Sequence, residues 1–153
     1  MGTRHLQVVI NKEGKKVISQ YGQWDGYPSG QGREILDFLK NGDMKSYQQN
    51  LAKIREITPK EVDKINKWGE NWPDFFPYMS RDCGARIHRL IEFGYVPFVK
   101  LTSQEEADKW CEGFYTIDFQ KGVFISEFGG VTATFNLNEL PTDEEYITAM
   151  KDE

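Results

Sequence analysis

The residues of this chain best suited to holding a small molecule lie together in Gln20-Tyr21-Gly22-Gln23-Trp24-Asp25-Gly26-Tyr27-Pro28-Ser29-Gly30-Gln31-Gly32. A loop that only joins a strand to a helix needs ~2 to 6 residues and little aromatic surface. This one holds four glycines, three glutamines and three large aromatic rings. Tyr21, Trp24 and Tyr27 offer flat faces on which a base can stack, while Gln20, Gln23, Gln31 and Asp25 offer polar groups that read the edge of a ring. The exit, Ser29-Gly30-Gln31-Gly32, opens a helix and so presents backbone N–H groups where phosphate or carboxylate is favoured. A structural reading competes, in which Trp24 and Tyr27 are core aromatics and the glycines serve a complicated turn. Neither Gly-x-x-x-x-Gly-Lys nor Gly-x-Gly-x-x-Gly occurs, so the ligand reading rests on the combination of residues.

The elements before this loop must deliver its cation. Residues 6–10 and 17–21 are β-rich runs around Asn11-Lys12-Glu13-Gly14, the chemistry of a four-residue hairpin loop. Pairing across it sets Ile10 opposite Lys15, Val8 opposite Val17 and Leu6 opposite Ser19, hence His5 opposite Gln20 and Arg4 opposite Tyr21. Arg4 is then expected to converge with Trp24 and Tyr27 on a concavity floored by the N–H groups of Gly30, Gln31 and Gly32, and to neutralise a phosphate there.

A second constellation is Arg81-Asp82-Cys83-Gly84-Ala85-Arg86, in which Asp82 and Arg86 have the spacing of a helical ion pair. Cys83, in a first helical turn, gains from the helix dipole as a thiolate, but Asp82 opposes that and Cys83 also fits a buried stripe. His88 reads as a surface residue. With His5 and His88 the only histidines and no His–carboxylate cluster, neither a metal site nor a cofactor is expected. Asp25 and Asp118 are acid–base candidates that nothing in the sequence brings together.

Further along, apolar spacing predicts a helix over 32–40, closed by Asn41-Gly42, and another from Asp43 to about Arg55. Thr58-Pro59-Lys60-Glu61 is an N-cap, first-turn proline and capping-box glutamate, opening a helix through about Trp68. Two prolines reduce 71–78 to short turns. Ser80 is expected to cap a helix that buries Cys83, Ile87, Leu90 and Ile91 and stops near Gly94. Residues 102–106 start a short helix, 114–119, 123–128 and 131–135 form a three-stranded antiparallel meander, and Thr142-Asp143-Glu144-Glu145 caps a last helix through about Met150. The expectation is one α+β domain over 1–153, with a mainly antiparallel sheet and several helices between hairpin and meander.

Composition narrows the function classes. The net charge of -5 is uneven, with 12 acids against 3 bases after residue 100, which disfavours non-specific nucleic-acid binding and leaves an acidic protein-interaction inhibitor as one alternative. No apolar run spans a bilayer and no signal peptide precedes the domain, so a cytoplasmic protein without membrane contact is expected; two cysteines make no disulfide framework.

On Met1-Gly2-Thr3-Arg4-His5-Leu6 and the 20–32 motif, together with Arg81-Asp82, Gly84-Ala85 and the aromatic strand ending at Asp118, the chain resembles a group of small uncharacterised proteins from phages, bacteria and fungi. That resemblance brings no established activity. The hairpin leading into Trp-Asp-Gly-Tyr-Pro also looks like the start of an N-terminal-nucleophile hydrolase, but the residue after Met1 is Gly2, so the resemblance implies architecture without the nucleophile. The expected function is non-catalytic binding of a small anionic, nucleotide-like ligand, in a form compatible with a homo-oligomer. From a phage source, sequestering a host immune nucleotide signal in the host cytoplasm would be a natural use. The alternatives are a hydrolase or transferase in the same pocket, with His5 or Asp25 as general base, and the acidic inhibitor.

Overall fold

The computed structural model describes residues 2–152; Met1 and Glu153, the ends of the expected domain, lie outside the described residues. The chain runs β1 (His5–Ile10), β2 (Lys16–Gly22), α1 (Arg33–Asn41), α2 (Met44–Leu51), β3 (Arg55–Glu56), α3 (Pro59–Asn66) and α4 (Trp72–Phe75). It continues through α5 (Arg86–Glu92), β4 (Phe98–Val99), α6 (Gln104–Trp110), β5 (Gly113–Asp118), β6 (Val123–Phe128), β7 (Val131–Asn136) and α7 (Asp143–Met150). Five strands form one sheet in the order β2-β1-β5-β6-β7, while β3 and β4 make a separate short parallel pair. The fold is α+β, with the expected hairpin and meander joined by the parallel pairing of β1 with β5.

Local chemistry explains the helix starts. Thr58 with Glu61 and Thr142 with Glu145 form complete capping boxes, and the Asp43 and Ser103 side chains accept the N–H groups of Ser46 and Glu106. Two helices depart from expectation. α2 stops at Leu51, because residues 55–56 pair with β4 instead of continuing the helix. The helix expected from Ser80 begins only at Arg86: Gly84 takes a left-handed φ of +56°, and the Ser80 hydroxyl accepts the Asp82 N–H in a turn. Cys83 thus lies before the helix and not in its first turn.

The hairpin register is two residues from the expected one, with His5 opposite Gly22, Leu6 opposite Tyr21 and Val8 opposite Ser19. A bulge between Val9 and Ile10 leaves Val17 unpaired and accounts for one of the two residues; the other comes from a shorter loop, since the Asn11 N–H donates to the Lys15 carbonyl and only residues 12–14 turn. A shift of two keeps every side chain on its face, but it places Arg4 before the strand instead of opposite Tyr21.

One sheet face carries Val9, Ile18, Ile117 and Phe124 into a core with Ile35 and Phe38 of α1, Ile87 of α5 and Tyr146 of α7. The other carries Leu6 and Val8, which pack with Ala107 of α6. Among the described residues no helix is long and apolar enough to cross a membrane.

His88 is buried, contrary to its reading as a surface residue. It belongs to a chain of polar groups inside the core: Tyr47 Oη lies 2.9 Å from His88 Nδ1, His88 Nε2 lies 2.9 Å from Gln7 Oε1, and Gln7 Nε2 lies 3.1 Å from His5 Nδ1. With the Gln7 carbonyl facing His88 and its N–H₂ facing His5, every link is satisfied when Tyr47 donates to His88, His88 to Gln7 and Gln7 to His5. The remaining N–H is then on His5 Nε2, which is buried and finds no acceptor among the described residues.

Candidate functional site

The 20–32 segment divides its residues between two surfaces and the interior. Gln20 is buried and donates to the Tyr78 carbonyl at 2.9 Å, tying β2 to the segment before α5. Gln31 accepts the Ala85 N–H at 2.8 Å and donates to the Trp24 carbonyl at 3.2 Å, acting as a clamp inside the fold. The glycines have the same purpose. A Cβ at Gly22, Gly26, Gly30 or Gly32 would come closer than 3.0 Å to His5 Nε2, the Thr3 carbonyl, the Asp25 carbonyl or Tyr146 Oη respectively. The motif is glycine-rich because chain packs on chain, with Asp25 at a left-handed φ of +55° completing the turn.

The expected anion floor is not formed. The N–H groups of Gly30 and Gly32 are donated to the Tyr27 carbonyl and that of Gln31 to the Asp25 carbonyl, in a wide helical turn over Pro28–Gly32. The Ser29 N–H is taken by the Asp152 carboxylate at 2.9 Å, so the chain's own acid fills the seat. Trp24, Tyr27 and Arg4 do not converge either. Trp24 is 45% exposed and donates its indole N–H to Asp82 at 2.6 Å, Tyr27 packs on Phe128, and Arg4 lies over Trp110. Ser29 and Gly30 instead border a concavity of about 540 Å³ with Arg33, Asp37, Arg86 and Arg89, in which Arg89 is already paired with Asp37 at 3.3 Å. The expected Asp82–Arg86 ion pair is absent as well: the Arg86 guanidinium donates to the carbonyls of Cys83 and Asp82.

Arg4, Tyr21, Gln23 and Arg81 do come together, in a cleft of about 410 Å³ completed by Lys100 and Trp110 and edged by Thr102 and Glu106. Each is placed by local structure. The Arg4 carbonyl accepts the N–H groups of Glu112 and Gly113, pinning the chain before β1 to the start of β5. Tyr21 stands on the non-core face of β2, opposite Leu6. The Gln23 N–H donates to the Arg81 carbonyl at 3.0 Å, and a reciprocal pair of bonds between Ser19 and Thr102 lays the 100–102 segment along β2. Ala107 buries one side of α6 against Leu6 and Val8, leaving Glu106 and Trp110 to border the cleft.

Inside the cleft the Arg4 guanidinium sits 5.5 Å from the Trp110 ring centroid, and Tyr21 Oη donates to Gln23 Oε1 at 2.6 Å, leaving the Gln23 amide N–H₂ as a donor. Burial pushes the Tyr21 phenol up, partly offset by the Arg4 and Arg81 guanidiniums, so Tyr21 stays a neutral hydroxyl. Burial also raises the thiols of Cys83 and Cys111 to about 11, which leaves neither as a nucleophile at neutral pH. His5 is fully buried, against any role as a general base for a bound molecule. Among the described residues no three His, Cys, Asp or Glu side chains gather as metal ligands.

Sequence reasoning missed Lys100, Thr102, Glu106 and Trp110. The one available signal was Trp110, a large aromatic ending a seven-residue helix that buries little besides Ala107. Comparison of the chain with family models, curated proteins and solved structures finds no match.

Proposed function

We propose that this chain binds a small anionic, nucleotide-like ligand without turning it over, in the cleft between β2, the 80–85 loop and α6. The observation that carries the reading is the gathering of Arg4, Arg81 and Lys100 on one concavity of a chain whose net charge is -5, beside a Trp110 ring that is 57% exposed. Like charges brought together favour a counter-charge between them, and phosphate supplies it with several acceptor oxygens. Trp110 offers a face to a base, while the Gln23 amide, the Thr102 hydroxyl and the Glu106 carboxylate offer both donors and an acceptor to its edge.

Non-catalytic binding is favoured over hydrolysis or transfer because His5 is buried, Cys111 is held protonated and Asp25 does not line the cleft, which leaves Glu106 as its one carboxylate with no histidine beside it among the lining residues. The acidic-inhibitor reading loses ground because several C-terminal acids serve the fold: Asp118 caps the β5–β6 turn, Glu145 completes a capping box and Asp152 holds Ser29. In a phage the same binding would sequester a signalling nucleotide in the host cytoplasm.

The test is native mass spectrometry and calorimetric titration against mono- and dinucleotides, with inorganic phosphate as the minimal probe. Arg81→Ala is expected to weaken binding roughly 10- to 100-fold, the worth of a charge-assisted hydrogen bond, and to flatten the salt dependence. Trp110→Ala is expected to cost about 1 to 3 kcal/mol of affinity with little change in melting, since the ring is exposed. Ligand recovered chemically altered after denaturation would reject the non-catalytic reading, and unchanged affinity in both variants would reject the cleft.

A further inference from the structure

One edge of the five-stranded sheet is covered and the other is bare. Along β2, Thr102 donates its N–H to the Ser19 carbonyl at 2.9 Å, Ser19 Oγ donates to the Thr102 carbonyl at 2.6 Å, and the β1–β2 hairpin is bulged. β7 has no such protection. Val131-Thr132-Ala133-Thr134-Phe135-Asn136 holds no charge and no proline, and pairs with β6 in unbroken register, although open edges are ordinarily blunted by these devices.

The turn between β6 and β7 shows which backbone groups that edge offers. Phe128 and Val131 flank Gly129-Gly130, whose φ angles of +58° and +81° belong to a tight two-residue turn, so Phe128–Val131, Ser126–Ala133 and Phe124–Phe135 are hydrogen-bonded pairs. The bond from the Leu137 N–H to the Gly122 carbonyl continues the same series. The N–H and C=O groups of Thr132 and Thr134 therefore point away from β6. Among the described residues no other backbone group pairs with them.

We propose that this edge pairs antiparallel with the same edge of a second copy of the chain, joining two sheets into one about a two-fold axis at Ala133. The hydrogen-bond pattern selects the register, because residues with outward groups must face each other: Thr132 then opposes Thr134 of the second copy, and both such pairs close. Centring the axis on Thr134 would require the Asn136 carbonyl, which already accepts the Glu139 N–H at 3.0 Å. A second copy is the fitting partner because the strand is self-complementary. Ala133 meets itself where opposed side chains come closest, Val131 meets Phe135 on the core side, and Thr132 meets Thr134 on the other. Val131, Ala133 and Phe135 are half-buried in the single chain, and this pairing completes their burial.

Sedimentation or light scattering is expected to give about twice the 17.8 kDa chain mass. Thr134→Pro deletes an N–H used only across the interface, and Thr134→Lys brings a charge to the edge; both are expected to be monomeric with an unchanged far-ultraviolet spectrum. In a Cys111→Ser background, Ala133→Cys is expected to form a disulfide-linked dimer on mild oxidation, while Thr132→Cys, facing Thr134, is not. A wild type that stays monomeric at its highest soluble concentration overturns the proposal, as does a dimer that survives Thr134→Lys. Crosslinking of the Thr132→Cys variant without crosslinking of Ala133→Cys overturns the register.

Discussion

Gly32→Ala is expected to lower the melting temperature by about 6 to 12 °C, the equivalent of roughly 3 kcal/mol of overpacking in a domain of this size. The added Cβ falls within bonding-range overlap of Tyr146 Oη and 3.0 Å from Tyr115 Cε1, and neither ring has room to withdraw. Tyr146 is buried and hydrogen-bonded to Ser126 Oγ at 2.7 Å, while Tyr115 is buried and bonded to the Gly26 carbonyl. Removing the nearest atom should therefore relieve the strain: Gly32→Ala combined with Tyr146→Phe is expected to melt higher than the sum of the two single losses predicts. Gly129→Asn is the contrast. That glycine also has positive φ, but nothing lies within 4 Å of its would-be Cβ and asparagine tolerates the conformation, so the variant is expected to stay within about 1 kcal/mol of wild type. Had Gly32 been kept for the close approach of a ligand, Gly32→Ala would lose affinity and keep its melting temperature. A melt within 2 °C of wild type, on the scale of about 2 to 4 °C per kcal/mol, rejects the packing account.

The same contrast shows what could be read from the sequence. Capping boxes at Thr58 and Thr142 are written in four consecutive residues, and the meander in the alternation of 113–136, so both were legible. The hairpin was legible as an element but not in register, since a bulge depends on twist and packing against β5 and not on the residues flanking the turn. The helix expected at Ser80 failed because Gly84 adopts a left-handed conformation that a tertiary contact, the Gln31 clamp on Ala85, helps to hold. The 20–32 motif stands out in the sequence, yet Gln20, Gln31 and its glycines bind the chain to itself. The cationic cleft could not be assembled from sequence because Arg4, Tyr21, Arg81, Lys100 and Trp110 come from well-separated segments that meet only through the parallel β1–β5 pairing and the 100–102 segment on β2.

Acidification from pH 7 to pH 5 is expected to cost the fold about 4 kcal/mol, from two buried histidines at roughly 1.4 kcal/mol per pH unit each below their unfolded value. Burial lowers His5 from 6.5 to about 4, and burial together with the neighbouring His5 lowers His88 from 6.5 to about 3. Between pH 6.5 and about 4 the unfolded chain therefore binds protons that the native chain refuses. Stability is fully present above 6.5 and is lost as the pH falls through this window. Geometry adds a reason beyond desolvation. A proton on His5 Nδ1 would face the Gln7 amide N–H₂ that now donates to it, and turning that amide over would also require His88 to move its own proton from Nε2 to Nδ1. Surface carboxylates such as Glu61, held at about 2 by Arg55 and the Thr58 N–H, titrate lower and cannot produce a loss that begins near pH 6.5. Urea denaturation at half-unit steps from pH 7.5 to pH 4.5 measures the slope. His88→Gln should reduce that slope by about half while lowering stability at pH 7, because one buried group no longer titrates but the links to Tyr47 and Gln7 are imperfectly replaced. Stability flat from pH 7 to pH 5 would mean that protonated His5 and His88 are accommodated in the folded core, contrary to the one-directional chain of hydrogen bonds from Tyr47 to His5.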